Sequence, residues 1–154
     1  MLILLIVMTG LMGGIYFTFS VFVMKALNQL PPLQAGEAMN KINDVIINTL
    51  FLPVFFISTL WHAGLIVWCF ADWKNPQSTI MITAALLYIV GMFGVTVFGN
   101  VPLNNKLKFS IDKKDEQSLI QSWKEYYQPW ARLNHLRMTS CIFSCALLTL
   151  AISY

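Results

Sequence analysis

Long uncharged stretches alternate with short polar ones along this chain. No Asp, Glu, Lys or Arg occurs within Leu2–Met24, Val45–Ala71, Asn75–Asn105 or Met138–Tyr154. A membrane-spanning helix needs about 20 predominantly apolar residues. The first three stretches exceed that length and the last just reaches it, so the pattern predicts four spans, at about 2–25, 45–71, 78–100 and 135–153. Helical spacing continues between them. Ala35, Ala38, Met39 and Ile42 predict an amphipathic helix over 33–44, after the Pro31-Pro32 turn. In the third connection Trp123, Tyr127, Trp130, Asn134 and Arg137 follow at steps of four, three, four and three, one face of a helix. The expected fold class is all-α: an integral membrane four-helix bundle with amphipathic helices in the first and third connections. Its 154 residues form a single transmembrane domain.

Breakers and small residues refine this outline. Gly10 and Gly14 make a small-xxx-small step in the first span, and Gly91 and Gly94 lie in the third; such residues let helices approach closely. Asp72-Trp73-Lys74-Asn75-Pro76 reads as a short turn, and Asp112 to Glu116 as a solvated helix start. Pro129 falls inside the aromatic stripe, where it either bends a helix or opens a new one in its first turn.

Composition supports the membrane reading. Hydrophobic residues make up 57% and charged residues 11%, well below the roughly one-quarter charged of soluble domains; mean hydropathy is +0.65. The first and third connections carry nine Lys and Arg against Lys74 alone in the second. The positive-inside rule then predicts a multi-pass protein of the plasma (inner) membrane, with both termini outside and the two longer connections cytoplasmic. The net charge of +3 is accounted for by topology, and no basic soluble surface points to nucleic acid. Residues 1–24 lack a basic start and exceed a signal h-region, so they read as a mature span. Cys69, Cys141 and Cys145 read as small buried apolar residues.

The two halves echo each other faintly. The first span leaves through Val23 to Asn28 and the third through Gly99 to Asn104; Lys41-Ile42-Asn43 leads into the second span and Arg132-Leu133-Asn134 into the fourth. Two hairpins in the same orientation would bring Asn43 and Asn134 to one depth, with Asn28 and Asn104 nearby.

Several chemistries are disfavoured. His62 and His135, the two histidines, belong to opposite membrane faces, and neither CxxC nor Glu-x-x-His occurs, so no metal site is expected. The four spans contain no Asp or Glu for proton-coupled transport. His62, beside Trp61, reads either as a packed residue or as a functional one. What remains is a polar and aromatic rim of Asn43, Asn104, Asn105, Trp123, Tyr126, Tyr127, Trp130, Asn134, His135 and Arg137. Asparagines at membrane depth are costly unless paired, so several at one level suggest a pocket. An interfacial aromatic belt with an ordinary boundary arginine accounts for the same residues.

Three segments carry a family resemblance: Gly14 to Met24 with Ala26-Leu27 and Ala38 to Asn43; Val101-Pro102-Leu103-Asn104-Asn105 with Leu107; and Trp123, Tyr127, Trp130 and Asn134-His135-Leu136-Arg137. Together they resemble the anthrone oxygenase-like family of small four-helix membrane proteins over nearly the whole chain, although Lys25 stands where that pattern has Pro. The resemblance implies oxidation of a CH2 in an anthrone- or quinone-like aromatic by O2, with no metal, flavin or other cofactor. It implies His135 as base, Arg137 and Asn134 at the anion, Asn43 and Asn104 as donors, and Trp123, Tyr127 and Trp130 stacking on the rings. On a continuous helix His135 points about 100° away from Asn134, which leaves Tyr127 or water as the alternative base. A non-catalytic accessory subunit or a small-molecule- or lipid-binding bundle is the competing expectation.

Overall fold

A computed structural model describes residues 2–73, 75–112 and 116–153, and their side chains except those of 111, 112, 116, 118 and 119. The expected charged stretch around 113–115, and Lys74 of the second turn, lie outside the described residues. The described residues form helices and turns and no strand. Helix α1 is Leu2–Leu27, α2 is Pro32–Ile46, α3 is Phe51–Ala71, α4 is Ser78–Ser110 and α5 is Glu116–Ser153. Four of them, all but α2, are long and apolar enough to cross a membrane, and the protein is an all-α, multi-pass membrane bundle.

The local sequence explains these boundaries. Pro32 starts α2, where its missing N–H and fixed φ cost nothing. The second span begins at Phe51 rather than 45, because Asn48 and Thr49 donate to the carbonyls of Asp44 and Ile46 (2.9 and 2.7 Å) and close α2 first. Lys25 does not stop α1, which continues to Leu27. Pro102 and Pro129 do not stop their helices either. The third connection is therefore filled by long extensions of α4 and α5 rather than by a separate helix. Pro129 faces outward, leaving the carbonyl it cannot satisfy on the exposed side.

Helix α1 runs antiparallel to α5. Gly13 abuts Cys141, and Asn134 bonds to Tyr16 and Ser20. α4 comes close to α5 at Gly91, where a Cβ would overlap Ser140, a tighter fit than at Gly10, Gly13 or Gly14. Gly14, by contrast, has open space beside it, so the expected Gly10/Gly14 step is not where the helices meet most tightly. Buried side chains form three layers. Leu5, Leu65, Met81 and Leu148 fill the end that holds both termini; Met12, Tyr16, Phe55, Tyr88 and Met92 fill the middle. Met24, Ala35, Met39, Leu107, Trp123, Tyr126 and Trp130 join α2 to α1, α4 and α5 in a cap.

Two helices widen as they approach the cap. α1 makes a π turn over Phe19–Val23, and α4 makes two, over Ile89–Gly94 and Thr96–Asn100. In α4 the inward residues Tyr88, Met92, Thr96, Asn100 and Asn104 recur every fourth position. At 3.6 residues per turn that series would drift about 160° around the helix. The i→i+5 turns hold more residues each and keep the series on one face.

Candidate functional site

Between the middle layer and the cap lies a cavity of about 380 Å³, within the size range of small-molecule sites. All five helices line it. α1 contributes Tyr16 and Phe19, α2 Met39 and Asn43, α3 Phe51 and Phe55, α4 Thr96, Asn100 and Asn104, and α5 Trp130, Asn134 and Arg137. Apolar and aromatic side chains dominate the wall, and the polar groups are held by a network that fixes their orientation.

Asn104 anchors that network. Tyr126 OH and Trp130 Nε1–H both donate to its Oδ1, at 2.8 and 2.9 Å. Trp130 Nε1–H can only donate, and this fixes which end of the amide faces the pair. Nδ2 of Asn104 must therefore point away, and it donates to Oδ1 of Asn43 at 3.2 Å. That bond in turn leaves Asn43 Nδ2 as a buried donor with no hydrogen-bond partner. Asn100 is 1% exposed and donates from Nδ2 to the carbonyl of Trp130 at 3.3 Å. Since a carbonyl only accepts, Asn100 Oδ1 is left as a buried acceptor without a partner. Each such atom costs about 1–3 kcal/mol.

Arg137 is the unusual member. It is 5% exposed, and among the described residues no carboxylate pairs with it. Its guanidinium lies 4.4 Å from the ring centre of Tyr16 and 5.1 Å from that of Trp130, a cation–π contact with each. Nη2 donates to Asn134 Oδ1 at 2.7 Å, Nη1 to Thr96 Oγ1 at 3.4 Å, and Nε is unpartnered. Asn134 itself is saturated, because its Nδ2 donates to the Tyr16 carbonyl (2.8 Å) and to Ser20 Oγ (2.7 Å). Three side-chain atoms around the cavity, Asn43 Nδ2, Arg137 Nε and Asn100 Oδ1, are thus buried without a hydrogen-bond partner. Its mouth carries Asp44, which pairs with Lys108 at 3.0 Å.

The expected site residues divide accordingly. Asn43, Asn104, Trp130, Asn134 and Arg137 border the cavity. Trp123 does not: it is buried in the cap, where Nε1 donates to Asn28 Oδ1 at 3.1 Å. Tyr127 is half-buried against the same cap layer, away from the cavity lining. The buried face of α5 passes through Tyr126 instead, because the helix runs unbroken through Pro129. His135 is exposed and absent from the lining, its side chain turned off the Asn134 face as a continuous helix requires. His62 is a packed residue in the middle of the bundle. Its Nδ1 lies 2.8 Å from the Ser58 carbonyl, and its ring stacks on Tyr88 at 4.0 Å. Sequence reasoning passed over Tyr16, Ser20, Thr96 and Asn100. Their signal is recurrence at every fourth position, which 3.6-residue periodicity does not register.

Searches of curated proteins and of solved structures find no match to this chain. A family model does match, over residues 45–147, which take in α3, α4 and most of α5 with Asn100, Asn104, Trp130, Asn134 and Arg137. The model is that of anthrone oxygenase, it covers more than half of the chain, and the protein belongs to that family.

Proposed function

We propose that this protein is a cofactor-independent oxygenase acting on anthrone- or quinone-like aromatics in the cavity beneath the cap. The cap faces the cytoplasm of the plasma (inner) membrane in this reading, and both termini face outside, following the distribution of Lys and Arg. The observation that carries the proposal is Arg137: a buried cation that no carboxylate among the described residues pairs with, set in an aromatic wall. A buried charge is tolerated when function requires it, and the partner Arg137 lacks is an anion.

An anthrone supplies one. Loss of a proton from its central CH2 gives a delocalised anion whose oxygen is stabilised beside Arg137, with the Asn43 amide as a second donor. O2 adds at the carbanion carbon, and the resulting peroxide takes up a proton and loses water. CH2 and O2 thus become C=O and H2O, with no electrons left over. Trp130, Phe19 and Phe55 flank the rings and keep bulk water away. Asn134 acts by holding Arg137, its own amide being fully engaged. This reading gives His135 no role as base, since its side chain is exposed and lies off the cavity lining. The proton leaves by the mouth, where Asp44 is the one carboxylate among the described lining residues.

The test is oxygen uptake by purified protein in nanodiscs with 9-anthrone, against the spontaneous rate and against Arg137→Gln. Acceleration that disappears in the variant supports the reading. No acceleration across neutral pH sinks the enzymatic reading. Saturable anaerobic binding of 9-anthrone without turnover would instead favour a non-catalytic small-molecule-binding bundle.

A further inference from the structure

We propose that the cavity is entered from the lipid phase, through a lateral opening between α3 and α4, and so takes an apolar aromatic already dissolved in the bilayer; this rests on reading the cavity as a small-molecule site. α3 packs along α4 through Ser78–Gly94, and beyond Gly94 the two helices part. An aromatic clamp marks the fork: Phe93 stacks on Phe55 at 5.2 Å and meets Phe56 nearly edge-on at 6.3 Å. Toward the cap α4 packs on α2 and α5 instead. The cavity wall reaches the surface in the fork. Its lining residues Phe56 of α3 and Val97 and Val101 of α4 are 47%, 37% and 41% exposed.

The two edges of the mouth differ in chemistry. On the α2 side, Lys108 pairs with Asp44 at 3.0 Å and Asn104 bonds to Asn43 at 3.2 Å, two links that strap α4 to α2 across the polar approach. The edge between α3 and α4 is hydrocarbon, and Phe56 and Val97 lie within the spans Phe51–Ala71 and Ser78–Ser110. Facing water, such an edge would gain by closing. Facing lipid it has no such drive, because lipid tails are as apolar as the side chains themselves. A neutral anthrone is flat hydrocarbon with one carbonyl and accumulates in the bilayer, whereas its anion is costly there. The order of events follows: the neutral molecule passes the apolar edge, and its CH2 gives up a proton only inside, beside Arg137.

The experiment is anaerobic stopped-flow mixing of 9-anthrone with the full-length protein in nanodiscs, read by quenching of Trp fluorescence, with release measured on dilution into empty nanodiscs. A gate changes association and dissociation by one factor and leaves Kd alone, whereas a lost contact acts mainly on dissociation. Val97→Phe combined with Val101→Phe narrows the opening and should slow both rates about tenfold, with Kd kept within about threefold. Phe56→Ala widens it and should speed both, which keeps the idea testable should the double variant fail to fold. Lys108→Met releases the strap on the polar side and should leave both rates within about twofold. Rates that ignore the Val97, Val101 and Phe56 changes, or that rise with Lys108→Met, overturn the lateral entrance while the cavity reading stands. A change confined to dissociation makes these side chains ordinary wall contacts and overturns it as well. If 9-anthrone does not bind the parent protein, the cavity reading fails and the entrance falls with it.

Discussion

Arg137 is where stability and function should come apart. Arg137→Gln removes the charge and keeps an amide that can still donate to Asn134 Oδ1. The variant loses two ring contacts, at 4.4 and 5.1 Å, each worth about 1–2 kcal/mol when desolvated. It also exchanges a charge-assisted bond of 2.7 Å for a neutral one, at about 1 kcal/mol. Against this, it no longer buries a cation without a counter-ion, which costs several kcal/mol even after relaxation; insertion scales put Arg at a helix centre at about 2.5–3.5 kcal/mol. The two sides nearly cancel, and stability should move by less than about 2 kcal/mol. Binding has no such compensation. A charged hydrogen bond to an anion contributes about 2–4 kcal/mol, or roughly 30- to 1,000-fold in affinity. Thermal unfolding of the nanodisc protein, followed by Trp fluorescence, reports the first quantity. Anaerobic titration with 9-anthrone reports the second. A melting shift within about 8 °C together with a loss of at least 30-fold in affinity is the expected pair. A variant that unfolds, or one that binds within threefold of the parent, would show that the charge serves packing and refute the argument.

Three further outcomes follow from the same geometry. Asn104→Leu strips partners from Tyr126, Trp130 and Asn43 and should destabilise by about 2–4 kcal/mol in thermal unfolding, whereas Asn104→Asp, which still accepts from both rings, should lose less. His135→Ala should leave stability within about 0.5 kcal/mol and oxygen uptake unchanged, and a tenfold loss of rate would return His135 to the role of base. Gly91→Ala sets a methyl onto Ser140 and should cost about 1–3 kcal/mol; adding Ser140→Gly should restore most of it, and additive losses would mean that the two positions are not in contact.

The sequence carried the bundle and part of the site. Charge-free length alone located four spanning helices, and the spacing of Ala35, Met39 and Ile42 located α2 to within two residues at either end. Asn43, Asn104 and Asn134 stood out because amides at membrane depth need partners, and all but Nδ2 of Asn43 find them. The register of α5 was less legible. Pro129 suggested a break, but the exposed side of a helix tolerates the lost bond, so the helix stays whole and carries Tyr126 rather than Tyr127 onto the buried face. The faces of α1 and α4 near the cap could not be read from 3.6-residue spacing, because π turns reset it there. The glycines were legible in part, since Gly91 packs closely as expected and Gly14 does not. Gly10-x-x-x-Gly14 has the form of a contact motif, but contact depends on what the opposing helix offers, and Ser140 opposite Gly91 offers the tighter fit.

The family match covers 45–147, yet the arginine clamp cannot be completed from that segment. Tyr16 and Ser20 of α1 orient Asn134, Thr96 of α4 takes one arm of the guanidinium, and Asn134 and Trp130 hold the rest from α5. These contacts join residues about 40 and 120 positions apart in the chain, so they form only when α1, α4 and α5 are packed together. The packing limits what the buried cation costs. Each terminal nitrogen of Arg137 makes one hydrogen bond and two rings lie against its charge, while Nε makes none. A membrane protein that must keep a cation for an incoming anion can satisfy every other demand of that cation internally. Here Asn134, Thr96 and the two rings supply those contacts, and Arg137 Nε and Asn100 Oδ1 stay buried without a partner among the residues that line one cavity.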